Sequence, residues 1–306
     1  MKWLILSVLT GLISLYAGSI KPIPEKLEVN PKKAVLGKLL FFDPRLSKDN
    51  TISCASCHDL ANGGDDGRKV SFGVNGAAGE LNAPTVYNAV FNFRQFWDGR
   101  AKNLKEQVPE PIVNPVEMAQ HFDILIPKLQ KDDLYKRSFR ELYSDGITKE
   151  NIADAIAAYE KTLITPNAPF DRYLKGEENA ISEAAKEGYR LFKKKGCIIC
   201  HNGVNVGGNL FNRFGIYRDA NSSHLGRYNI TKREVDRFVF KVPSLRNVAL
   251  TAPYMHDGRI DTLRDAIKLM SRYQLGRFIT EEEIEAIESF LQTLTGEPPT
   301  ERGEKQ

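Results

Sequence analysis

Apolar residues recur at helical spacing in several separate stretches of this 306-residue chain. One such stretch, residues 148–164, places four apolar side chains on a single helical face: Ile152, Ile156, Tyr159 and Leu163. Apolar residues three and four positions apart mark a helix that buries one side. The strict alternation typical of a half-buried strand is sparse. The pattern therefore predicts a mainly α-helical protein with long irregular loops.

Helix-capping residues precede two other apolar stripes. Asn30 and Pro31 open the stretch NPKKAVLGKLLF, and Thr280 opens TEEEIEAIESFLQTL. Asn and Thr accept hydrogen bonds from the first free amides of a helix, and Pro is favoured at its first position. The second stretch would bury Ile284, Ile287 and Leu291. Both stretches are predicted to begin helices at these residues.

A short turn is written twice along the chain, as FWDGR at 96–100 and as part of YMHDGR at 254–259. The flanking residues match as well, with Pro 14 positions before each turn Asp and Leu six positions after it. Pro84 matches Pro243, Asn88 matches Asn247 and Leu104 matches Leu263. At the equivalent position of the turn, Trp97 stands in the first copy and His256 in the second. Equal offsets of this kind indicate an internal duplication. We expect two related domains, residues 20–165 and residues 166–306.

Composition and charge narrow the class of protein. The chain is 42% hydrophobic, which suits two globular domains, and its formal charge of +4 is not gathered in a basic tract. Nucleic acid is therefore not an expected partner. Residues 1–19 read MKWLILSVLTGLISLYAGS, the order of an export signal that is cleaved. An uncleaved anchor is the alternative, but the apolar run is shorter than the roughly 20 residues of a spanning helix. We expect a soluble periplasmic protein.

All four cysteines lie in two copies of Cys-x-x-Cys-His, CASCH at 54–58 and CIICH at 197–201. This motif attaches haem c through two thioether bonds and supplies a histidine to the iron. Disulfides, a redox dithiol and structural zinc are the competing interpretations. Zinc lacks nearby further ligands, and a dithiol does not need the histidine. The sequence predicts two covalent haem c groups, bound at Cys54, Cys57 and His58 and at Cys197, Cys200 and His201. The two predicted domains would then be cytochrome c-like helical domains, each with one haem c.

The sixth ligand of each iron decides between electron transfer and catalysis. In the second half, Met270 follows His256 by 14 residues and is the candidate. The first half offers Gln107, Glu117 and Met118. On a helix, Glu117 and Met118 would point roughly 100° apart, so only one could face an iron. Ligation by Met118 would make an electron carrier, whereas Glu117 beside an open iron would be a general acid and base. Spacing does not decide between them.

Haem propionates also need partners. Arginine binds carboxylates through a two-pronged fork. Arg246 and the two turn residues Arg100 and Arg259 are the candidates.

Taken in order, these motifs resemble the bacterial di-haem cytochrome c peroxidases, a family that includes MauG-like enzymes. The resemblance runs over essentially the whole mature chain. It is carried by LGKLLFFDPRLS, both haem motifs, NAPTVYN, FWDGRAKNL, PVEM, VPSLRNVALTAPYMHDG and LMSRYQLG.

The resemblance implies an enzyme that reduces hydrogen peroxide to water. The haem on His58 would be the peroxide site, with Glu117 moving protons and Gln107 orienting the peroxide. The haem on His201 and Met270 would receive electrons from a small cytochrome c or cupredoxin. Trp97 would lie between the haems, and a homodimer is expected. Calcium would be bound between the domains by Asn82, Thr251 and Pro253, the last two through carbonyl oxygens, a ligand type calcium accepts.

One departure from the family pattern concerns activation. Many members block the oxidised peroxide site with a histidine from the loop before NAPT, but residues 59–96 contain none and Val74 stands where it is expected. We therefore predict a ferric enzyme that is active without prior reduction. His121 and His224 are expected to be surface residues. The alternative functions are a non-catalytic di-haem carrier and a MauG-like protein oxidase, whose members place Tyr where this chain has Met270.

Overall fold

The computed structural model describes residues 19–219 and 221–299, so all of the predicted export signal except Ser19 lies outside it. Eleven α-helices form within the described residues. They are α1 Pro31–Phe41, α2 Leu104–Gln107, α3 Pro109–Val113, α4 Phe122–Leu129, α5 Asp133–Leu142, α6 Lys149–Glu160, α7 Pro169–Leu174, α8 Glu183–Lys195, α9 Tyr228–Thr231, α10 Leu263–Tyr273 and α11 Glu281–Gln292. The predicted mainly α-helical class is confirmed.

The remaining regular structure is short. Seven 3₁₀ turns are Pro44–Leu46, Cys54–Ser56, Val74–Gly76, Ala89–Phe91, Cys197–Ile199, Glu234–Asp236 and Val248–Leu250. Strands β1 Phe211–Arg213 and β2 Val239–Lys241 pair antiparallel, with Asn212 opposite Phe240. Across 19–219 and 221–299, we find no helix with the length and apolar character required to span a membrane.

The predicted helix starts are confirmed. The Asn30 side chain accepts from the amides of Lys32 and Lys33 at the start of α1. Thr280 and Glu283 cap α11 reciprocally, each side chain bonding the backbone amide of the other residue. Local sequence fixes these ends because each cap involves residues at most three apart.

One pair of packed helices lies in each half of the chain, and the two pairs make the same close contact. Helix α1 packs against α6, and α8 packs against α11. A Cβ added to Gly37 would lie 1.8 Å from the carbonyl oxygen of Ala155, and one added to Gly188 would lie 1.8 Å from that of Ala286. Such distances leave no room for any side chain, so glycine lets both helix pairs approach this closely.

The buried apolar residues form two large clusters. The first is drawn from residues 36–163 and the second from residues 170–294 together with Ile20. Ile20 joins the second cluster because it pairs with Gly203 in a parallel bridge. The Lys21 amide also donates to the Gly203 carbonyl at 3.2 Å. Residues near position 20 thus pack with the second half of the chain.

The duplicated turn has one conformation in both copies. Each is closed by an antiparallel bridge, Gln95 with Ala101 and Tyr254 with Ile260. The same two positions of each turn have positive φ: Phe96 at 67°, Met255 at 73°, Gly99 at 68° and Gly258 at 59°. The matched Leu104 and Leu263 each begin a helix, α2 and α10. The predicted repeat is therefore confirmed as a repeat of structure.

The two copies of the turn are also bonded to each other's half. The Asn82 amide donates to the His256 carbonyl at 2.9 Å, and the Lys241 amide donates to the Trp97 carbonyl at 2.7 Å. Asn82 and Lys241 are themselves matched, since each lies two residues before the repeated proline. The contact between the halves is thus reciprocal, with each turn accepting from the other half.

Candidate active site

A cavity in the second half brings together the predicted haem residues Cys197, Cys200, His201 and Met270. Its empty volume, including the open mouth, is about 1850 Å³. The sulfur of Met270 and the imidazole of His201 are the donor types that a low-spin electron-transfer haem uses. The residues present therefore fit a haem c at this place.

The environment of His201 suits a metal ligand. Burial lowers the pKa of His201 to about 4, so its ring is neutral at physiological pH, and the neutral imidazole is the form that ligates iron. Gly207 packs beside it: an added Cβ would lie 2.1 Å from the Pro243 carbonyl oxygen and 3.3 Å from His201 Nδ1. The backbone thus closes around one side of the ring.

The first haem motif is held in the same local form. Its first residues form the 3₁₀ turn Cys54–Ser56, as Cys197–Ile199 does in the second motif. His58 Nδ1 lies 3.3 Å from the Gly64 carbonyl oxygen. A proton on Nδ1 would donate to that carbonyl and leave Nε2 free for iron. The four cysteines form no disulfide, and burial raises the pKa of both Cys54 and Cys57.

Glu117 lies in a series of turns and not on a helix. Asn114 Nδ2 donates to Glu117 Oε1 at 2.6 Å. Burial raises the pKa of Glu117, and the Asn114 bond partly offsets that rise. Met118, in contrast, is buried in the first apolar cluster. The 100° separation considered for these two residues on a helix does not apply, because α3 ends at Val113 and α4 begins at Phe122.

Gln107 was predicted to orient peroxide, and Arg100 was a candidate partner of a haem propionate. Gln107 is the last residue of α2 and is half-buried. The Arg100 guanidinium pairs with Asp98 at 2.9 Å and with Glu110 at 2.9 Å, and its positive charge lowers the pKa of Glu117. Arg100 therefore acts on the carboxyl through charge while its own nitrogens bind two other carboxylates.

The glycine-rich loop before NAPT is docked onto Glu117. The Val74 amide donates to the Glu117 carbonyl at 2.8 Å. A Cβ on Gly73 would lie 2.3 Å from the carbonyl oxygens of both Val116 and Glu117. Val74, at the position expected to carry a blocking histidine, is buried.

The two histidines considered as replacements for a blocking ligand differ. His121 is exposed, as expected. His224 is half-buried beside Phe240 and His256, with Nδ1 accepting from the Gly226 amide and Nε2 near the Asn229 amide group. The expectation of a surface position is wrong for His224, because its ring packs against two aromatic side chains.

Arg246 has a structural partner that the sequence did not reveal. Its side chain is fully buried, pairs with Asp171 at 2.7 Å, and donates to the carbonyls of Val204 and Lys21 at 3.0 and 2.8 Å. The geometry thus gives no support to its predicted propionate role. Arg259 pairs with Asp257 at 2.7 Å, its neighbour in the second turn.

Trp97 and the three predicted calcium ligands line one cavity. Trp97 Nε1 donates to the Asn82 carbonyl at 2.9 Å, and its ring meets His256 edge to face at 6.2 Å. Asn82, Thr251 and Pro253 line the same cavity as Trp97 and His201. Asn82 Nδ2 donates to the Arg68 carbonyl at 2.8 Å, so the amide presents Oδ1 as its remaining acceptor. Among the described residues there is no cluster of three His, Cys, Asp or Glu side chains that could hold a metal.

Lys241 is a residue that our reading of the sequence missed. It lines the cavity, only 5% of it is exposed, and burial lowers its pKa to about 8. Within the part of the chain that the structure describes, its side chain forms no ion pair or hydrogen bond. The repeat could have identified it, because Lys241 occupies the position of Asn82 in the other half.

Comparison with known proteins identifies the family of this chain. The family described as di-haem cytochrome c peroxidase matches residues 31–179. The chain is 52% identical over 283 residues to cytochrome c peroxidase Ccp of Escherichia coli, covering 90% of this chain and 61% of that longer relative. It is 46% identical to cytochrome c551 peroxidase of Nitrosomonas europaea, covering 92% and 85%. It is 34% identical to methylamine utilization protein MauG of Methylophilus methylotrophus, covering 90% and 86%.

Solved structures share the fold. A MauG-like protein associated with microbial copper homeostasis aligns with TM-score 0.80 and 28% identity over 91% of this chain and 93% of its own. The diheme peroxidase BthA from Burkholderia thailandensis aligns with TM-score 0.73 and 21% identity over 91% and 92%, a likeness of fold alone. With the relatives matched over most of their length at 34–46% identity, these findings confirm the predicted family: this chain belongs to the di-haem cytochrome c peroxidases.

Proposed function

We propose that the protein is a di-haem peroxidase that reduces hydrogen peroxide to water with electrons from a small periplasmic cytochrome c or cupredoxin. Three relatives named cytochrome c peroxidase or cytochrome c551 peroxidase are 42–52% identical to the chain. The two MauG proteins are 34% identical, and the cytochrome-c peroxidases IdrP1 and IdrP2 are 31–32% identical. The observation that carries the proposal is a partly buried carboxyl, Glu117, with a raised pKa and a fixed hydrogen-bond donor. A proton-transferring group needs a pKa close to the working pH.

The residues that would hold the haems follow from the two motifs. Cys54, Cys57 and His58 would bind one, and Cys197, Cys200, His201 and Met270 the other. When bound, the first haem supplies the site at which peroxide is reduced, and the second supplies electrons from the donor. The two apolar clusters support domains 20–165 and 166–306, apart from the residues near position 20 that pack with the second cluster.

Glu117 takes a proton from one peroxide oxygen and returns it to the leaving oxygen. The Asn114 amide fixes the orientation of its carboxyl group, and the Arg100 charge favours its ionised form. Gln107 orients the peroxide. The alternative of a non-catalytic electron carrier would need Met118 as an iron ligand. The burial of Met118 in the first apolar cluster favours a packing role and hence the enzyme.

Charge balance in the second half suggests a propionate partner. The Lys241 ammonium lies in a cavity wall without an acceptor, whereas Arg246 is already paired with Asp171. We assign the propionate contact to Lys241. The calcium site is supported by an amide oxygen of Asn82 and the backbone carbonyls of Thr251 and Pro253, since all three residues line the same cavity. The homodimer rests on the family resemblance alone.

The decisive experiment mixes fully ferric protein, and separately half-reduced protein, with hydrogen peroxide and a reduced small cytochrome c while donor oxidation is followed. We expect turnover from the ferric form, because residues 59–96 supply no blocking histidine. Turnover only after half-reduction would show that another ligand blocks the site. Absence of turnover in both states would favour the electron carrier.

The same assay tests Glu117. Glu117→Gln should lower turnover by about 10²- to 10⁴-fold, the usual contribution of general acid–base catalysis, and leave both haem spectra unchanged. Glu106→Gln, at an exposed position on α2, is the matched control and should retain turnover. Retained activity in Glu117→Gln would reassign the proton-transfer role.

A further inference from the structure

Glu160, the last residue of α6, is a buried carboxyl with no assigned role. Only 6% of it is exposed, and its Oε2 has no hydrogen-bond partner among the described residues. Burial raises its pKa to about 8. A buried carboxyl without a partner costs free energy, so its presence calls for an explanation.

The internal repeat identifies the counterpart of Glu160. A Cβ added to Gly37 would lie 2.9 Å from Tyr159 Cβ, and one added to Gly188 would lie 2.9 Å from Phe290 Cβ. Tyr159 and Phe290 are therefore equivalent positions on α6 and α11. The next residue is Glu160 in one half and Leu291 in the other. Leu291 is buried and lines the cavity that contains Cys197 and His201.

A second observation locates Glu160 beside the first haem motif. The pKa of Cys54 is raised chiefly by burial and then by the negative charge of Glu160. Cys54 belongs to the first motif as Cys197 belongs to the second. The repeat places Glu160 at the position of the cavity-lining Leu291, and the effect of its charge on Cys54 agrees with a place near the haem motif of its own half.

The charged residues on neighbouring elements bind elsewhere. Lys33 of α1 and Lys105 of α2, the two helices that pack on α6, both pair with Asp154, at 2.6 and 3.6 Å. Burial alone accounts for the shifted pKa of Glu160, without a contribution from any cation or second carboxylate. Within the described residues, the ionisable groups beside it are thus Cys54, which is a thioether once haem is attached, and its chain neighbours Tyr159 and the exposed Lys161.

We propose that Glu160 sets the N-terminal haem to a lower reduction potential than the C-terminal haem and takes up a proton when that haem is reduced. This inference rests on the proposed function in placing a haem at His58. Ferric iron carries one more positive charge than ferrous iron, so a nearby carboxylate stabilises the ferric form. One electron from the donor reduces the iron, and one proton from solvent neutralises Glu160. Leu291 gives the other haem no such charge.

The test is a potentiometric titration of both haems in the loaded protein, followed by their spectra over a pH range that spans about 8. In the unmodified protein, the potential of the N-terminal haem should fall as the pH rises. Glu160→Gln should raise that potential and remove its pH dependence in this range, leaving the C-terminal haem unchanged. Glu150→Gln, an exposed Glu on the same helix, is the matched control and should change neither haem.

Two further variants keep the test decisive. Glu160→Leu introduces the side chain that the other half has at this position, and it should raise the potential as predicted for Glu160→Gln. It takes the place of Glu160→Gln in the test if that variant does not fold. Leu291→Glu should lower the C-terminal potential and make it pH-dependent. Unchanged potentials in all folded variants would overturn the inference. The readout does not depend on peroxide turnover, so a protein without peroxidase activity that shows these shifts would refute the proposed function and leave the role of Glu160 standing.

Discussion

A single hydrogen bond adjusts the proposed acid–base group. Asn114 donates to Glu117 and lowers the pKa of a carboxyl that burial has raised. Asn114→Ala removes that bond, so the pKa of Glu117 should rise further and less of the carboxylate should be ionised near neutral pH. We predict that the acid-side limb of the kcat/KM profile for peroxide moves to higher pH.

The measurement is the pH profile of peroxide turnover with a saturating electron donor. Asn62→Ala, at an exposed position in the same half, is the matched control and should keep the original profile. An unchanged acid limb in Asn114→Ala would show that the bond does not act on the group that titrates.

The residue scale also shows where reading the sequence succeeds. The haem motifs were readable because their members lie within five consecutive positions. The pairing of Arg246 with Asp171 could not be predicted, because Asp171 is distant in sequence and no local pattern links the two residues. Lys241 and Glu160 were missed because their burial is a property of the fold, although the repeat marks both positions.

The helix crossings carry the next prediction. Gly37→Ala and Gly188→Ala should each destabilise the protein by about 1–3 kcal/mol or more, because the new methyl would overlap a backbone carbonyl that cannot move independently of its helix. Urea unfolding of the haem-loaded protein measures the loss, and the two substitutions should act alike since their contacts match.

Gly79→Ala is the matched control for this prediction. A Cβ there would meet the Ser71 carbonyl oxygen at 3.4 Å, which is ordinary contact, and its φ is not positive. Equal destabilisation by all three substitutions would contradict the close-approach explanation.

At this scale, the starts of α1 and α11 could be predicted since their caps are local. The crossings could not, because Gly37 and Ala155 are 118 positions apart and glycine in a helix otherwise reads only as a weak helix former. The turns around Glu117 agree with Asn114 and Pro115, residue types that favour turns, but spacing did not show whether Glu117 or Met118 would face an iron.

One buried ion pair joins distant parts of the whole molecule. Arg246 binds Asp171 near the start of α7 and the Lys21 carbonyl near the beginning of the described chain. Arg246→Met would leave a buried carboxylate unpaired and should destabilise the protein by about 3–5 kcal/mol. The surface pair Arg190–Glu187 provides the control, since Arg190→Met should change stability little.

The pH dependence of this loss has a defined sign. Burial raises the pKa of Asp171 and Arg246 partly offsets the rise, so removing Arg246 raises that pKa further. A carboxyl whose pKa is raised in the folded state destabilises the folded protein above that pKa, and this destabilisation is lost as the pH falls. Unfolding measured at neutral and acidic pH should therefore show a smaller loss for Arg246→Met, relative to the unmodified protein, at acidic pH. A loss that grows with acidity would exclude this account.

The pairing of residues 19–21 with Gly203 determines which hydrogen-exchange behaviour these residues should show. The amides of Lys21 and Gly203 are held by reciprocal bonds, with Lys21 donating to Gly203 and Gly203 to Ser19, each at 3.2 Å. Their protection should therefore follow that of α8 and α11, whose opening would release them, and not that of α1 and α6, which are nearer in sequence to Lys21. Deuterium uptake at residues 19–21 would therefore report the opening of α8 and α11 in the second half of the chain.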